Sequence, residues 1–327
     1  MKVKRHADMK PNQQIFTGRP KFVSLTLLFL LLSFPLAAQT TAQQNETQPF
    51  VGIGNLKYFE RAYPDITFTR RYDSKENDWI ISVTVPSVPG DKNSPGKTTD
   101  FYWANACFLP QEELVNKDNY WSLLYVYQKE LEDPENFTEE QKEQIIKFSS
   151  DENRKNDAGT PMFFFEAIYD SQTRLSLETH IKKTTLLGKS TNVHERMIEP
   201  LKKVEEKIYA LAKKDGQVQA FIDNLKSTDA YSWRIIAGTN RKSFHSLGIA
   251  IDVLPKSQGG KQIFWSWAAD KYPDTWMLIP LKNRWMPPAQ VISIFEEEGF
   301  IWGGKWVIYD NMHFEYHPEL IQYNYYK

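Results

Sequence analysis

S-F-H-S-L-G-I-A-I-D, from Ser243 to Asp252, is answered near the end of the chain by Y-D-N-M-H-F-E, from Tyr309 to Glu315. Gly248 permits a tight turn or a close backbone approach, and I-A-I-D-V-L beyond it alternates as a strand. Ala250 and Asp252 then share one face, with Ile249, Ile251 and Val253 on the other. An Asp among aliphatic residues is costly to bury unless it is paired or bound to metal; a salt bridge to Arg234 or Arg241 is the plain alternative. Asp310 and His313 are three apart, so in a regular strand they face opposite ways. They converge only if Asp310 lies in the turn before the strand and His313 inside it. His245, Asp252 and His313 thus read as three ligands of one ion, with Asp310 free to act as a base. Two imidazoles and one carboxylate leave a fourth position open on zinc, the layout of catalytic sites; structural sites are closed.

Six His occur in the chain, which keeps the candidate ligands few. His6 precedes the apolar run near the N-terminus, and His180 and His194 lie in polar, helix-leaning segments. Glu315 and His317 share the His313 face if that strand is regular, so His317 is a rival ligand, although Pro318 marks the strand's end. Arg234 and Arg241 are the cations placed to meet a developing oxyanion. Ser243 suits either a substrate hydrogen bond or the cap of the turn.

Outward from these segments, the chain is mostly conventional. With 40 basic and 41 acidic residues among 327 the net charge is -1, so the overall charge gives no case for nucleic acid. The N-terminus sets Lys2, Lys4, Arg5, Lys10, Arg19 and Lys21 before an apolar run from Phe22 to Leu36, then Ala37, Ala38 and Ala42. That order describes a secretory signal, and the run falls short of the roughly 20 residues of a membrane span. An exported, periplasmic or extracellular protein with no stable membrane insertion is expected, an uncleaved anchor being the alternative. Cys107, the single cysteine, stands in an aromatic run and reads as a buried inert thiol.

The expected organisation is a signal over 1–38, a Thr/Gln-rich linker over 39–50, a region of unknown function over 51–184 and a catalytic domain over 185–327. Ile66 to Asp73 and Asp78 to Val85 alternate as a hairpin; Pro86 to Thr99 reads as loop, Phe101 to Leu109 as strand and Glu112 to Glu132 as helix. Thr138 caps a helix to about Phe148, Asp151 to Thr160 is a loop, and Met162 to Tyr169 is a strand or helix. Thr191 to Lys226 reads as mostly helical, with Met197, Leu201, Val204, Ile208 and Leu211 on one face and a break at Gly216. W-R-I-I-A from Trp233 is strand-like, Ala289 to Glu298 is a helix stopped by Gly299, and Trp306 to Tyr316 alternates as a strand.

Ser243 to Asp252, together with G-F-I-W-G-G-K-W-V-I-Y-D-N-M-H-F-E at Gly299 to Glu315, resembles the zinc peptidases of the D-alanyl-D-alanine carboxypeptidase family. That family includes VanY-type carboxypeptidases and the L-alanyl-D-glutamate endopeptidases of phage lysins and sporulating bacteria. Its pattern is S-x-H-x-x-G-x-A-x-D, then an acid three residues before a His that an aromatic follows. The resemblance implies His245, Asp252 and His313 as zinc ligands, Asp310 as base, Ser243 as substrate contact and Arg234 as the arginine that steadies the carbonyl oxygen. The segment from Arg234 to His245 is shorter than in the lysin enzymes, which leaves Arg241 a candidate beside Arg234. The fold implied is α+β: a small antiparallel sheet carrying the site, flanked by helices, with an additional N-terminal α+β region. The substrate implied is the stem peptide of peptidoglycan, cut by a carboxypeptidase or an endopeptidase. A wall-binding module whose metal is structural or absent is the rival reading.

Overall fold

The computed structural model describes residues 50–236 and 241–326. The expected signal and almost all of the linker lie outside them. After a single 3-10 turn, α1 (Leu56–Ala62) leads into β1 (Thr67–Asp73) and β2 (Asp78–Pro86), the expected hairpin, with Thr67 opposite Thr84 and Asp73 opposite Asp78. β3 (Gly96–Tyr102) pairs antiparallel with β2, so the stretch read as loop joins the sheet from Gly96 onward. The strand read over Phe101 to Leu109 ends at Tyr102, because Ala104, Asn105 and Ala106 turn the chain at positive φ (43°, 61° and 66°). Only an isolated bridge between Tyr102 and Leu109 remains of it. The helix read over Glu112 to Glu132 is replaced by a 3-10 stretch, Gln111–Asn119, and irregular chain. There Leu123, Leu124 and Tyr127 are buried without helical spacing, and the Leu123 N–H bonds across to the Ala106 carbonyl.

α2 (Glu139–Phe148) starts in a capping box, with Thr138 and Gln141 each accepting the other's backbone N–H. Ser150 caps a further short helix, α3 (Asp151–Asn156), where loop was expected. Phe163–Ile168, left open between strand and helix, is α4, and α5 (Arg174–His180) follows. β4 (Ile181–Leu186) and β5 (Lys189–His194) form a hairpin, so the helical reading from Thr191 starts too early. α6 (Ile198–Ala212) buries Leu201, Val204 and Ile208 as its spacing requires, and α7 (Gly216–Asp223) is capped by Asp215.

The remaining strands are β6 (Leu225–Asp229), β7 (Ala250–Pro255), β8 (Phe300–Trp302) and β9 (His313–Tyr316), with α8 (Trp265–Lys271) and α9 (Ala289–Glu297) between β7 and β8, and α10 (Pro318–Tyr325) last. They make one antiparallel sheet in the order β6-β7-β9-β8. Of the strand read over Trp306 to Tyr316 only β9 is regular, and the strand-like segment at Trp233 makes a single bridge, Ile235 to Lys242. Phe295 of α9 stacks on Phe314 of β9 at 4.0 Å and meets Phe300 of β8 edge-on at 5.4 Å, covering one face of this sheet. The architecture is α+β, as the resemblance implies.

The main apolar core of the described residues runs from Val51, Phe59 and Phe108 to Phe244, Ile251 and Phe314, with smaller clusters around Trp276 and around Tyr127 and Leu320. Phe164 of α4 packs against Phe59 and Phe108, and its neighbour Phe165 meets Phe244 edge-on at 5.2 Å. α10 lies against α1, and Arg196 reaches Asp65 at 2.7 Å in an ion pair largely shielded from solvent. Cys107 is a buried free thiol whose pKa burial pushes up to about 12. No helix among the described residues is long and apolar enough to cross a membrane.

Candidate metal centre

β7 and β9 are adjacent and antiparallel, with Asp252 opposite His313 and Ala250 opposite Glu315. Directly opposed residues project to the same face of a sheet, so the register alone brings these two candidate ligands together. Ile251 and Val253 turn to the other face and are fully buried. His245 arrives from a 3-10 turn, Phe244–Leu247, whose start is capped by the Ser243 hydroxyl accepting the His245 N–H at 3.3 Å. The turn ends at Gly248 with φ 69°, where an added Cβ would come within 2.8 Å of the His194 nitrogen. Glycine is therefore required for the turn to lie against β5.

The three donor atoms converge. His245 Nε2 lies 3.2 Å from His313 Nδ1 and 3.3 Å from Asp252 Oδ1, and His313 Nδ1 lies 2.8 Å from Asp252 Oδ1. A tetrahedral metal with donors at the usual zinc distances holds them roughly 3.3–3.5 Å apart, so the triangle fits one ion with small adjustments. The outward ring nitrogens are already engaged: His245 Nδ1–H donates to the Ala230 carbonyl at 2.6 Å and His313 Nε2–H to Glu315 Oε1 at 2.8 Å. Each bond suits the tautomer that would leave the inward nitrogen as a donor to a metal, the usual arrangement behind histidine ligands. The His/Asp/His group can hold a metal ion.

Electrostatics favour a cation here. Burial works against the charge on Asp252, yet hydrogen bonds from His245 and His313 hold its carboxyl well below the ordinary range. Burial likewise opposes charge on His313, and Asp252 and Glu315 outweigh it, holding the imidazole well above its usual value. Glu315 is buried too, but bonds from His313 and His317 bring it down to about 2.

Asp310 sits in the turn that leads into β9, the condition its spacing from His313 demands. Its N–H donates to the Gly303 carbonyl at 3.0 Å, its own carbonyl accepts from the His313 N–H at 3.3 Å, and the Met312 N–H bonds its carboxylate. A Cβ on Gly303 would lie 2.8 Å from that Asp310 carbonyl, so the first glycine of the W-G-G-K-W element makes room for the turn. Burial pushes the Asp310 carboxyl up to about 7, with His313 opposing and Asp252 adding to the rise. One of its oxygens, Oδ1, is buried without a hydrogen-bond partner among the described residues. That buried oxygen belongs to a carboxylate within electrostatic reach of both His313 and Asp252.

The other candidates part company. Arg241 sends its guanidinium to the backbone carbonyls of Arg154 and Ala158, whereas the Arg234 side chain is exposed. Neither pairs with Asp252. His180 bonds Glu195 and stacks on His194, away from the triangle. His317 stands behind Glu315, bonding it through Nε2 at 3.2 Å, and is not among the three converging donors. Burial opposes its charge, but Glu319 and Glu315 together bring its imidazole up to about 9. The alternation of H-F-E-Y-H already aligns His313, Glu315 and His317, whereas no sequence signal marks the Ala230 carbonyl.

Residues 237–316 match the family model described as D-alanyl-D-alanine carboxypeptidase. The resemblance carried by the two motifs is thereby borne out over the stretch that holds the site. Over that stretch the match supports a peptidase of the zinc carboxypeptidase family, and peptidases of that family depend on zinc. A second model, described as a domain of unknown function, matches residues 55–125. No curated protein and no solved structure matches the chain.

Proposed function

We propose that this chain is an exported zinc peptidase that hydrolyses an amide bond in the peptide stem of bacterial peptidoglycan. The observation that carries the reading is the convergence of His245 Nε2, Asp252 Oδ1 and His313 Nδ1, with the unpartnered carboxylate oxygen Oδ1 of Asp310 close by. Zinc held by the three donors supplies Lewis acidity, polarising a carbonyl and making water a better acid. Asp310 takes the proton of the attacking water and returns it to the leaving amine, a carboxyl near 7 being suited to both transfers. Arg234 is the better candidate for the oxygen that gains negative charge, since the Arg241 guanidinium is bound to carbonyls. The Ser243 hydroxyl holds the His245 turn, and its substrate contact is made through a remaining lone pair. The peptidoglycan stem is favoured by the family's description and by the expected export signal, and both carboxypeptidase and endopeptidase cleavage suit this machinery.

The test joins metal analysis to product analysis. Purified protein is expected to carry one zinc, His245→Ala and His313→Ala to carry none, and mass spectrometry of digested muropeptides to show a stem peptide shortened or split by the wild type alone. Wild-type protein with stoichiometric zinc but intact muropeptides would favour the wall-binding reading.

A further inference from the structure

Behind His313 an unbroken line of buried hydrogen bonds leaves the metal centre and ends in the N-terminal region. His313 Nε2–H donates to Glu315 Oε1 at 2.8 Å, and the other oxygen of Glu315 accepts from His317 Nε2–H at 3.2 Å. His317 Nδ1–H donates to Glu319 Oε1 at 2.9 Å, and Glu319 Oε2 accepts the Tyr63 hydroxyl at 2.7 Å. All five side chains are buried, Glu319 completely. Each carboxylate spends one oxygen on each neighbour, so none of Glu315, His317 and Glu319 turns without breaking a bond on both sides. Phe165 and Phe244 close on the His317 ring edge-to-face at 5.2 and 4.7 Å, which leaves that ring little room to rotate. Tyr63 lies in the segment matched as a domain of unknown function, while His317 and Glu319 fall beyond the stretch matched by the peptidase family.

We propose that Tyr63 is a positioning residue for the metal ligand His313, acting through Glu319, His317 and Glu315. The N-terminal region thereby supplies part of the support of the metal site. The inference rests on the reading of His245, Asp252 and His313 as a metal centre. A carboxylate that holds a ligating histidine contributes about 10- to 100-fold to metal affinity, and a group further along the same line belongs at the lower end.

The experiment compares Tyr63→Phe, Glu319→Gln and their double variant with the wild type in the full chain. Zinc affinity is measured by competition with a chromophoric chelator, and the visible absorption of the cobalt-substituted protein reports ligand geometry. Asp65→Asn serves as the control, since it breaks the shielded pair with Arg196 in the same region without touching the line. Tyr63→Phe and Glu319→Gln are each expected to weaken zinc binding by about 10-fold and to shift the cobalt bands. The double variant should be no worse than the weaker single, because both cut one string, and Asp65→Asn should lower thermal stability with affinity and spectrum unchanged. Affinities within twofold of wild type with unshifted cobalt bands, or equal losses in Asp65→Asn, would overturn the proposal. If Tyr63→Phe does not fold, Glu319→Gln against Asp65→Asn decides. A wild type that binds no zinc would instead sink the metal-centre reading itself.

Discussion

The interior around α1, α4 and the β1-β2-β3 sheet and the interior behind β7 and β9 are parts of one core with opposite chemistry. Around Phe164 the buried groups are Phe59, Phe108 and Phe165, set edge-on or tilted to one another at 4.6 to 5.5 Å. Such rings bury large apolar areas with a preferred geometry. Behind β9 the buried groups are His313, Glu315, His317 and Glu319, which are tolerable out of water only because each is bonded. The difference separates two tasks. The aromatic part supplies the burial that holds the body together, and the polar part spends some of that stability on placing charges.

The largest effect should come from parting them. A fragment of residues 185–327 would expose Phe244 and His317 where Phe165 now covers them, Tyr323 where Tyr58 of α1 packs, and Leu320 in the cluster it shares with Tyr127. We expect no cooperative unfolding transition for that fragment by circular dichroism. A fragment that melts cooperatively and binds zinc like the full chain would mean the aromatic part is dispensable. Within the aromatic part, Phe164→Ala should cost roughly 3–5 kcal/mol in denaturant unfolding while the zinc stoichiometry of the folded protein stays unchanged. A loss of zinc at full stability would erase the distinction drawn here.

A smaller effect tests the polar part with metal removed. Burial raises the Asp310 carboxyl from its ordinary 3.8 to about 7, so the folded chain binds a proton that the unfolded chain releases between those values. The group's contribution is intact below about pH 4 and is lost as pH rises through 7. In chelator, Asp310→Asn should therefore be more stable than wild type at pH 8, by on the order of 1–3 kcal/mol, with the advantage vanishing near pH 4. An advantage independent of pH would contradict the buried-carboxylate account.

The same contrast explains what the sequence disclosed. Asp252 and His313 were legible because each polar residue interrupts an apolar alternation at a spacing that suits a ligand, and the sheet register then placed them opposite each other. The α6 face and the first hairpin were legible by period. Glu112 to Glu132 was not, because Leu123, Leu124 and Tyr127 are buried by contacts with distant chain and follow no repeat. β3 was hidden by its exposed, charged start at Lys97, and the turn after Trp103 by Ala104 and Ala106, whose type does not announce positive φ. Tyr63 carries no sequence sign of its bond to Glu319, since the two are 256 positions apart.

The central claim is the division of labour between the three ligands and Asp310, and one variant addresses it. Asp310→Asn keeps the size of the side chain and removes the proton acceptor. Zinc content is to be measured beside the rate of muropeptide cleavage on the same preparation. The account predicts one zinc per chain, as in wild type, with turnover lowered by roughly 100- to 10,000-fold. Loss of the zinc would make Asp310 a ligand, and full turnover with zinc retained would show that the base lies elsewhere.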